Sequence, residues 1–160
     1  MNELRKIKDN DLLQTFSNLV LGEREATAQV VAHLAEIDRR RLYAREGYAS
    51  LFCYITEKYH YCGGSAYRRI QAARLCKRFP EILSLIKEGR LNLTVLCLIA
   101  PHLDEKNKAS LIQKVIGKSK KEVEYLVSSL FETKAVSIMD KIIKLPPVKN
   151  RGEIQEAAAS

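Results

Sequence analysis

Apolar residues recur at steps of three, four and seven over residues 10–45, a spacing typical of an amphipathic helix. The positions are Leu12, Phe16, Leu19, Ala26, Val30, Leu34 and Ile37. Asp9 or Asn10 is predicted to cap the helix start, and Gly47 suits the position just after its end. Gly22 lies inside the pattern and costs about 1 kcal/mol relative to alanine, so the pattern allows one long helix, a kinked helix or two helices.

A stricter repeat runs through the same stretch, with steps that alternate between four and three residues as in a coiled-coil seam. Its members are Leu12, Phe16, Leu19, Glu23, Ala26, Val30, His33 and Ile37. Glu23 and His33 are polar and weaken the coiled-coil interpretation. Two hypotheses follow: the helix packs on its own domain, or it joins two copies of the chain in a homodimer.

Capping residues, glycines and prolines divide the following part of the chain into shorter helical segments. Ser50 is predicted to cap one helix, Ser65 is predicted to cap the next after a break at Gly63-Gly64, and residues 119–122 (SKKE) form a capping box. The predicted helices cover 51–59, 66–78, 80–88, 95–100, 105–116 and 120–131. No stretch alternates as a strand does, so the sequence predicts an all-α protein of about seven helices.

Three regions are predicted along the chain. The long amphipathic helix occupies 1–46, and a helical domain that contains a helix-turn-helix occupies 47–131. Pro146-Pro147 excludes regular helix, and 132–160 is predicted to be a partly disordered extension or linker. The sequence contains neither a run long enough to span a bilayer nor an apolar signal segment, so a cytoplasmic protein that does not insert into a membrane is expected.

Positive charge is concentrated in one part of the chain. The 160 residues include 27 Lys and Arg against 19 Asp and Glu, a formal net charge of +8. No acidic residue lies between Glu57 and Glu81, and this stretch holds six cations, Lys58, Arg68, Arg69, Arg74, Lys77 and Arg78. These six account for most of the +8. The excess favours an anionic partner, and a solvated basic surface is the alternative.

A short helix, a glycine-containing turn and a second helix rich in Arg, Gln, Ser and Tyr predict a helix-turn-helix over about 50–78. In this motif the second helix, here 65–78, enters the major groove of DNA. Arginine presents a planar fork to guanine or phosphate, glutamine pairs with adenine, and Ser or Tyr donates to phosphate. Double-stranded DNA is therefore the predicted partner, and no small-molecule substrate is expected.

The cysteines and histidines lack the spacing of a metal site. The four cysteines are Cys53, Cys62, Cys76 and Cys97. Their successive gaps of 9, 14 and 21 residues do not fit a zinc knuckle. The three histidines, which are isolated from one another, are His33, His60 and His102. We therefore expect reduced structural cysteines, no metal, no cofactor and no catalytic residue.

Residues 36–131 resemble the helical N-terminal region of a large group of bacterial HNH endonuclease family proteins. The matching stretches are 36–43 (EIDRRRLY), 47–52 (GYASLF), 66–75 (AYRRIQAARL), 78–81 (RFPE), 88–91 (EGRL), 98–103 (LIAPHL) and 118–124 (KSKKEVE). Residues 143–146 (IKLP) resemble the family's exit from its helical region. The resemblance implies a helical module that targets DNA.

A second resemblance, in layout, is to the helical DNA-binding domain of ParB-like chromosome-partition proteins. A recognition helix, a proline-initiated helix, a glycine turn and a late Ser-x-x-Glu helix follow one another at 65–78, 80–88, 89–92 and 119–130. This similarity implies that the DNA-contacting residues are Ser65, Tyr67, Arg68, Arg69, Gln71 and Arg74. The predicted phosphate contacts are completed by Lys77, Arg78 and Arg39–Arg41.

Members of the HNH family that resemble true nucleases carry a His-rich ββα-metal motif C-terminal to this helical region. Such a site needs a general-base histidine and further ligands for a divalent ion, and none of the three histidines lies in that pattern. We therefore expect a DNA-targeting module without catalysis in these residues, either an isolated N-terminal domain or a version that lost its nuclease. The alternatives are the N-terminal fragment of an active HNH endonuclease and a protein-interaction domain.

Overall fold

The computed structural model describes the backbone of residues 3–143 and the side chains of residues 3–131. Every regular element in this part of the chain is helical, so the predicted all-α class is confirmed. The α-helices are α1 (Asp9–Arg40), α2 (Leu42–Arg45), α3 (Leu51–Cys53), α4 (Gly63–Arg78), α5 (Ile82–Lys87), α6 (Leu93–Ile99), α7 (Lys108–Val115) and α8 (Lys120–Ile143). None of them is both long and apolar enough to cross a membrane, as far as the described residues extend.

The N-terminal helix α1 is continuous through Gly22, which settles the choice between one helix and two. It starts at Asp9 with Lys8 in the capping position, so the predicted side-chain cap by Asp9 or Asn10 is wrong. The helix ends at Arg40 because Arg41 adopts the left-handed conformation, with a φ of 52°. The predicted last turn is instead the separate helix α2.

The core is built around α4, which packs against α1 on one side and α6 on another, while α1 also contacts α5. Three alanines of α4 are fully buried and let the neighbouring helices approach closely, and they are Ala66, Ala72 and Ala73. Large side chains fill the remaining space between helices, and the fully buried ones include Phe79, Ile82, Leu96 and Ile99. The part of the chain up to Glu124 forms one compact unit.

The face that α1 buries in this core differs from the stripe predicted for it. Its buried residues are Ala28, Val31 and Leu34, and of these only Leu34 belongs to the predicted stripe. The helix is therefore apolar on two neighbouring faces, of which the sequence pattern emphasised the less buried one.

Two helices in the C-terminal half of the helical region start with a side-chain cap, whereas α7, predicted over 105–116, starts only at Lys108 and has none. The side chain of Asn92 accepts a hydrogen bond from the amide of Val95 at 2.9 Å and starts α6. The predicted capping box starts α8, because the Ser119 amide donates to the Glu122 carboxylate at 2.7 Å and the Glu122 amide donates to Ser119 Oγ at 3.4 Å. This reciprocal arrangement satisfies two amides that the helix leaves unpaired.

Helix α8 continues to Ile143, beyond the predicted end at 131. Residues 132–143 contain neither glycine nor proline, and an existing helix gains one hydrogen bond for each residue that it adds. The predicted extension over 132–160 is thus helical in its first part. The prediction for 144–160 lies outside the described residues.

Candidate nucleic-acid interface

The predicted helix-turn-helix segment consists of α3, its continuation as a π-helical turn (Tyr54–Lys58), a four-residue connection and α4. A connection of this length matches the turn of the motif. His60, with a φ of 56°, supplies the left-handed residue that glycine often supplies there. The cap predicted at Ser50 is confirmed, because its hydroxyl accepts from the Cys53 amide at 3.0 Å.

Helix α4 begins earlier than predicted, because Gly63 and Gly64 form its first turn instead of a break. Cys62 occupies the capping position without a side-chain hydrogen bond, so the predicted cap at Ser65 is wrong. The first-turn amides of a helix need no intrahelical acceptor, which makes glycine less costly there than in a helix interior. The first backbone bond of the helix is from the Ala66 amide to the Cys62 carbonyl, at 2.9 Å.

Packing does not require glycine at either position. A Cβ at Gly63 would contact only the Phe52 ring, at 3.5 Å, and a Cβ at Gly64 only Arg68 Nη1, also at 3.5 Å. Neither residue has a positive φ, and both are exposed. The two glycines therefore leave the amide-bearing end of α4 open to an incoming group, with no acidic residue in the first turn.

One face of α4 presents a row of polar and cationic residues, which we call the exposed stripe. Its members are spaced by four, three and four residues, and they are Tyr67, Gln71, Arg74 and Arg78. They line a shallow groove of about 170 Å³ together with Cys97, Ala100 and Pro101. The ring of Tyr67 is 54% exposed, and the neighbouring Lys77 is exposed as well. The structure thus brings together five of the eight predicted contact residues.

Ser65 and Arg69 lie on a different side of α4. The Arg69 guanidinium stacks on the Tyr61 ring, 4.6 Å from its centroid, and donates to Ser65 Oγ. Its Nε atom is buried and has no hydrogen-bond acceptor in the described part of the protein. Arg69 also lines a cleft with Arg24 and Thr27 of α1. Its guanidinium is therefore engaged within the fold, and Arg69 is less exposed than Arg74 and Arg78 of the stripe.

Arg68 lies between these two sides and is half-buried. Its carbonyl accepts a weak hydrogen bond from the Cys97 thiol, with sulfur and oxygen 3.8 Å apart. Burial raises the pKa of the Cys97 thiol, and the nearby Arg68 charge lowers it by less. Arg68 therefore tethers α4 to α6 through its backbone.

Folding compensates part of the positive charge that the sequence concentrates in 58–80. Lys58 forms an ion pair with Glu46, and Arg74 Nε lies 3.3 Å from Asp38 Oδ2. Arg78 donates to the Leu103 carbonyl at 3.2 Å. Among the described residues, Lys77 forms no ion pair, so it carries an uncompensated charge beside the exposed stripe.

The arginine cluster at the end of α1 is partly neutralised as well. Both Arg39 and Arg40 donate to the Glu36 carboxylate. These hydrogen bonds hold the pKa of Glu36 well below its usual range, at about 2. Arg41 is exposed and forms no ion pair with any described residue. Of the three predicted phosphate contacts in this cluster, Arg41 is the one without a carboxylate partner in the described part.

Several residues of the site were not recognised in the sequence. Asp38 binds Arg74 from 36 positions away, and Tyr61 holds Arg69 from outside α4. The aromatic density of the stretch that contains Tyr54, Tyr59 and Tyr61 was the signal available for such contacts. The hydroxyls of Tyr54 and Tyr59 lie 3.1 Å apart, with their rings edge to face.

The cysteines and histidines are dispersed. Across the described residues, no three His, Cys, Asp or Glu side chains come together in a group that could hold a metal ion. Cys62 is exposed, whereas burial raises the pKa of the Cys76 thiol to about 12. His33 lies on α1, His60 in the turn before α4, and His102 in the 3-10 turn after α6. The structure therefore gives these groups no common site.

No family model matches the chain, and no curated protein or solved structure shows significant similarity to it. The resemblances described above therefore depend on the quoted residues alone.

Proposed function

We propose that this protein is a DNA-binding helical module that inserts α4 into the major groove of double-stranded DNA. The observation that carries the proposal is the exposed stripe of Tyr67, Gln71, Arg74 and Arg78 beside Lys77. It places hydrogen-bond donors, an amide and cationic groups along one face of a 16-residue helix that follows a short turn. These are the groups that read base edges and phosphates in a helix-turn-helix protein.

The start of α4 supports the same proposal. Gly63 and Gly64 leave the first-turn amides sterically open, although glycine is a poor helix former. A helix N-terminus attracts phosphate through its free amides and the positive end of its dipole. A DNA backbone that runs past Gly63 would therefore orient α4 while the exposed stripe meets the groove.

The roles within the stripe differ by chemistry. Gln71 can pair with an adenine edge, and Tyr67 can donate its hydroxyl to a phosphate. Arg74 forms an ion pair with Asp38 through Nε, and its side chain remains 57% exposed. Lys77 acts as a point charge for phosphate. Arg69, placed in the contact set by resemblance, would instead support α4 from within the fold, whereas the Arg68 guanidinium lies beside Gly64 at the start of the helix.

The resemblance to HNH endonuclease family proteins extends this proposal to a biological setting. It favours a bacterial, cytoplasmic module that delivers DNA to a nuclease, or one that acts without it. A gene that continues, or has a neighbour that continues, into a His-rich ββα segment would support the nuclease setting. A gene and neighbours without such a segment would favour a stand-alone DNA-binding protein.

Fluorescence anisotropy with a labelled DNA duplex at low and at moderate salt tests the DNA proposal. We expect binding at low salt that weakens steeply with added salt, because phosphate contacts release counterions. Lys77→Gln should weaken binding and reduce the salt dependence. Lys114→Gln is the matched control, because it removes the same charge from an exposed position on α7. The absence of binding at low salt, or an equal effect of the two variants, would contradict the proposal.

Tyr67→Ala and Gln71→Ala probe the stripe separately from net charge. Neither side chain is buried, so the variants should keep the unfolding free energy within about 0.5 kcal/mol of the wild type. Both should weaken DNA binding, and Gln71→Ala should also reduce the preference for adenine-containing sites. Circular dichroism checks that the helical content is unchanged.

A further inference from the structure

A groove of about 430 Å³ lies between α1 and the π-helical turn with the residues that follow it. Its α1 wall includes Ala26, Val30 and Ile37, and its other wall includes Tyr59 and Tyr61. The lining is predominantly apolar. These α1 positions belong to the four-and-three repeat recognised in the sequence, not to the face that α1 buries in the core.

The same repeat continues into the first half of α1, where its apolar side chains are exposed. Leu12, Phe16 and Leu19 are 38%, 64% and 67% exposed, and Leu13 beside them is 64% exposed. Monomeric proteins rarely expose an apolar patch of this kind without a partner for it. The molecule thus carries an apolar helical segment at one end of α1 and an apolar groove at the other.

We infer that a second copy of this chain occupies the groove, with the two α1 helices packed antiparallel about a two-fold axis. The repeat is symmetric about the midpoint between Glu23 and Ala26. In this register Leu12 faces Ile37 of the second copy, and the following pairs are Phe16 with His33, Leu19 with Val30, and Glu23 with Ala26. Each pair joins one position of the projecting segment to one position of the other half of α1. A two-fold interface forms every such contact twice.

The antiparallel register also gives suitable neighbours to Glu23 and His33, the two polar positions that weakened the coiled-coil interpretation. Parallel packing would place Glu23 against Glu23 and His33 against His33 of the second copy. Antiparallel packing gives Glu23 the small Ala26 as its neighbour and lets His33 meet the ring of Phe16. His33 is exposed, and its Nδ1 lies 2.7 Å from the Gln29 carbonyl oxygen, which orients the imidazole.

Charge complementarity favours the same orientation. Asp9 and Asp11 lie in the first turn of α1, and Arg39 and Arg40 lie in its last turn. In the antiparallel register Asp9, three residues before Leu12, lies opposite Arg40, three residues after Ile37. Parallel packing would place like charges together at both ends, which is unfavourable.

The proposed seam extends along most of α1. From Leu12 to Ile37 it extends about 38 Å at the rise of an α-helix. The exposed apolar side chains of one half and the apolar groove of the other are both covered in the complex. A specific interface needs about 800 Å² from each partner, and in the proposed dimer both the exposed apolar residues of α1 and the groove beside Tyr59 and Tyr61 contribute. The inference goes beyond DNA binding and does not depend on it.

Sedimentation velocity of the full chain over a wide concentration range tests the inference. We expect the mass of a dimer for the wild type at high concentration. Phe16→Glu should raise the dissociation constant of the dimer by more than about tenfold, because each dimer would bury two introduced charges at its seam. Tyr125→Glu is the control, because Tyr125 is an exposed aromatic residue outside α1, and it should leave the dimer intact.

A second substitution tests the register. Adding His33→Lys to Phe16→Glu should restore the dimer, because the antiparallel register sets each introduced ammonium opposite an introduced carboxylate. The Phe16→Glu variant should keep its helical content by circular dichroism, since the Phe16 ring is 64% exposed in a single chain.

Three outcomes would overturn the inference. A wild-type chain that stays monomeric at every concentration would assign the groove to a different partner. A dimer that persists in Phe16→Glu would place the interface elsewhere. Loss of the dimer in Phe16→Glu without recovery in the double variant would exclude the antiparallel register. The DNA titration is read separately, so failure of either proposal leaves the other standing.

Discussion

The two halves of α1 carry a similar apolar periodicity but differ in what covers them. In the second half, Val31 and Leu34 are buried against the core of their own domain. In the first half, Phe16 and Leu19 are exposed in the single chain. Apolar periodicity therefore predicts that a helix forms and that it has a face to bury. It does not identify the surface that buries the face, because that surface is supplied by other elements or by another molecule.

The difference follows from where the neighbouring helices lie. Helix α1 contacts α4 and α5, and its buried residues all lie between positions 28 and 34. Apolar burial contributes roughly 25 cal/mol per Å² to stability, and the α1 side chains that are fully removed from solvent within the chain all lie in its second half. The first half is held as a helix by continuity with the second half, since extending an existing helix is far less costly than starting one.

The largest expected effect comes from shortening one leucine side chain to alanine in each half of α1. Leu34→Ala should lower the free energy of unfolding by about 2–5 kcal/mol, because it leaves a cavity in the core. Leu19→Ala should change it by no more than about 0.5 kcal/mol in dilute solution, because an exposed side chain loses little on truncation. Urea denaturation followed by circular dichroism measures both.

Measuring the unfolding free energies of both variants at several protein concentrations distinguishes packing within one chain from packing between chains. The loss caused by Leu34→Ala should be the same at every concentration, since the cavity lies within one chain. Any further loss caused by Leu19→Ala should grow with concentration, since only association uses that side chain. Equal losses for the two variants in dilute solution would show that the first half of α1 is packed in the single chain.

The parts of the fold that the sequence predicted correctly depend on short-range chemistry. The caps at Ser50 and Ser119 involve residues three positions apart, and a pattern read along the chain contains that information. The helix predicted over 66–78 was expected to stop before Pro80, and α4 does end at Arg78. These features were predictable because each depends on neighbours in sequence.

The candidate site was less predictable, because its contacts connect distant residues. The Arg74–Asp38 ion pair spans 36 positions, and Arg78 donates to Leu103 across 25 positions. A count of cations along the chain could not reveal either partner. The count also treated Arg69 and Lys77 alike, although one is stacked on Tyr61 and the other is exposed. The sequence predicted the cationic helix α4, but it did not predict which side of that helix each cation occupies.

An effect of about 1 kcal/mol is expected at Gly22, which lies where the two halves of α1 meet. Gly22→Ala should raise the free energy of unfolding by roughly that amount, because alanine is the better helix former and its Cβ would meet no atom within 4 Å.

Gly47→Ala is the matched control. A Cβ at Gly47 has equally open space, but its φ of 84° should make alanine destabilising by about 1 kcal/mol. Thermal and urea unfolding of the two variants should move in opposite directions, and a Gly22→Ala variant less stable than the wild type would show that the junction needs a flexible residue.

The smallest expected effect concerns charge in the packed half of α1. Hydrogen bonds from Arg39 and Arg40 lower the pKa of Glu36 to about 2, from 4.5. A carboxyl whose pKa falls on folding stabilises the folded state above its unfolded pKa, and this contribution disappears as the pH falls toward the folded pKa. Glu36→Gln should therefore lower the melting temperature slightly near neutral pH, with a difference that shrinks between about pH 4.5 and pH 2.

Added salt should reduce the difference in melting temperature between Glu36→Gln and the wild type as well, because the ion pairs are exposed. Glu57→Gln removes the same charge at an exposed position outside α1 that forms no ion pair with any described residue, so its effect should be smaller near neutral pH. If both variants show the same pH profile, the arginine cluster is not held by Glu36, and Arg39 and Arg40 return to the set of cations available to phosphate.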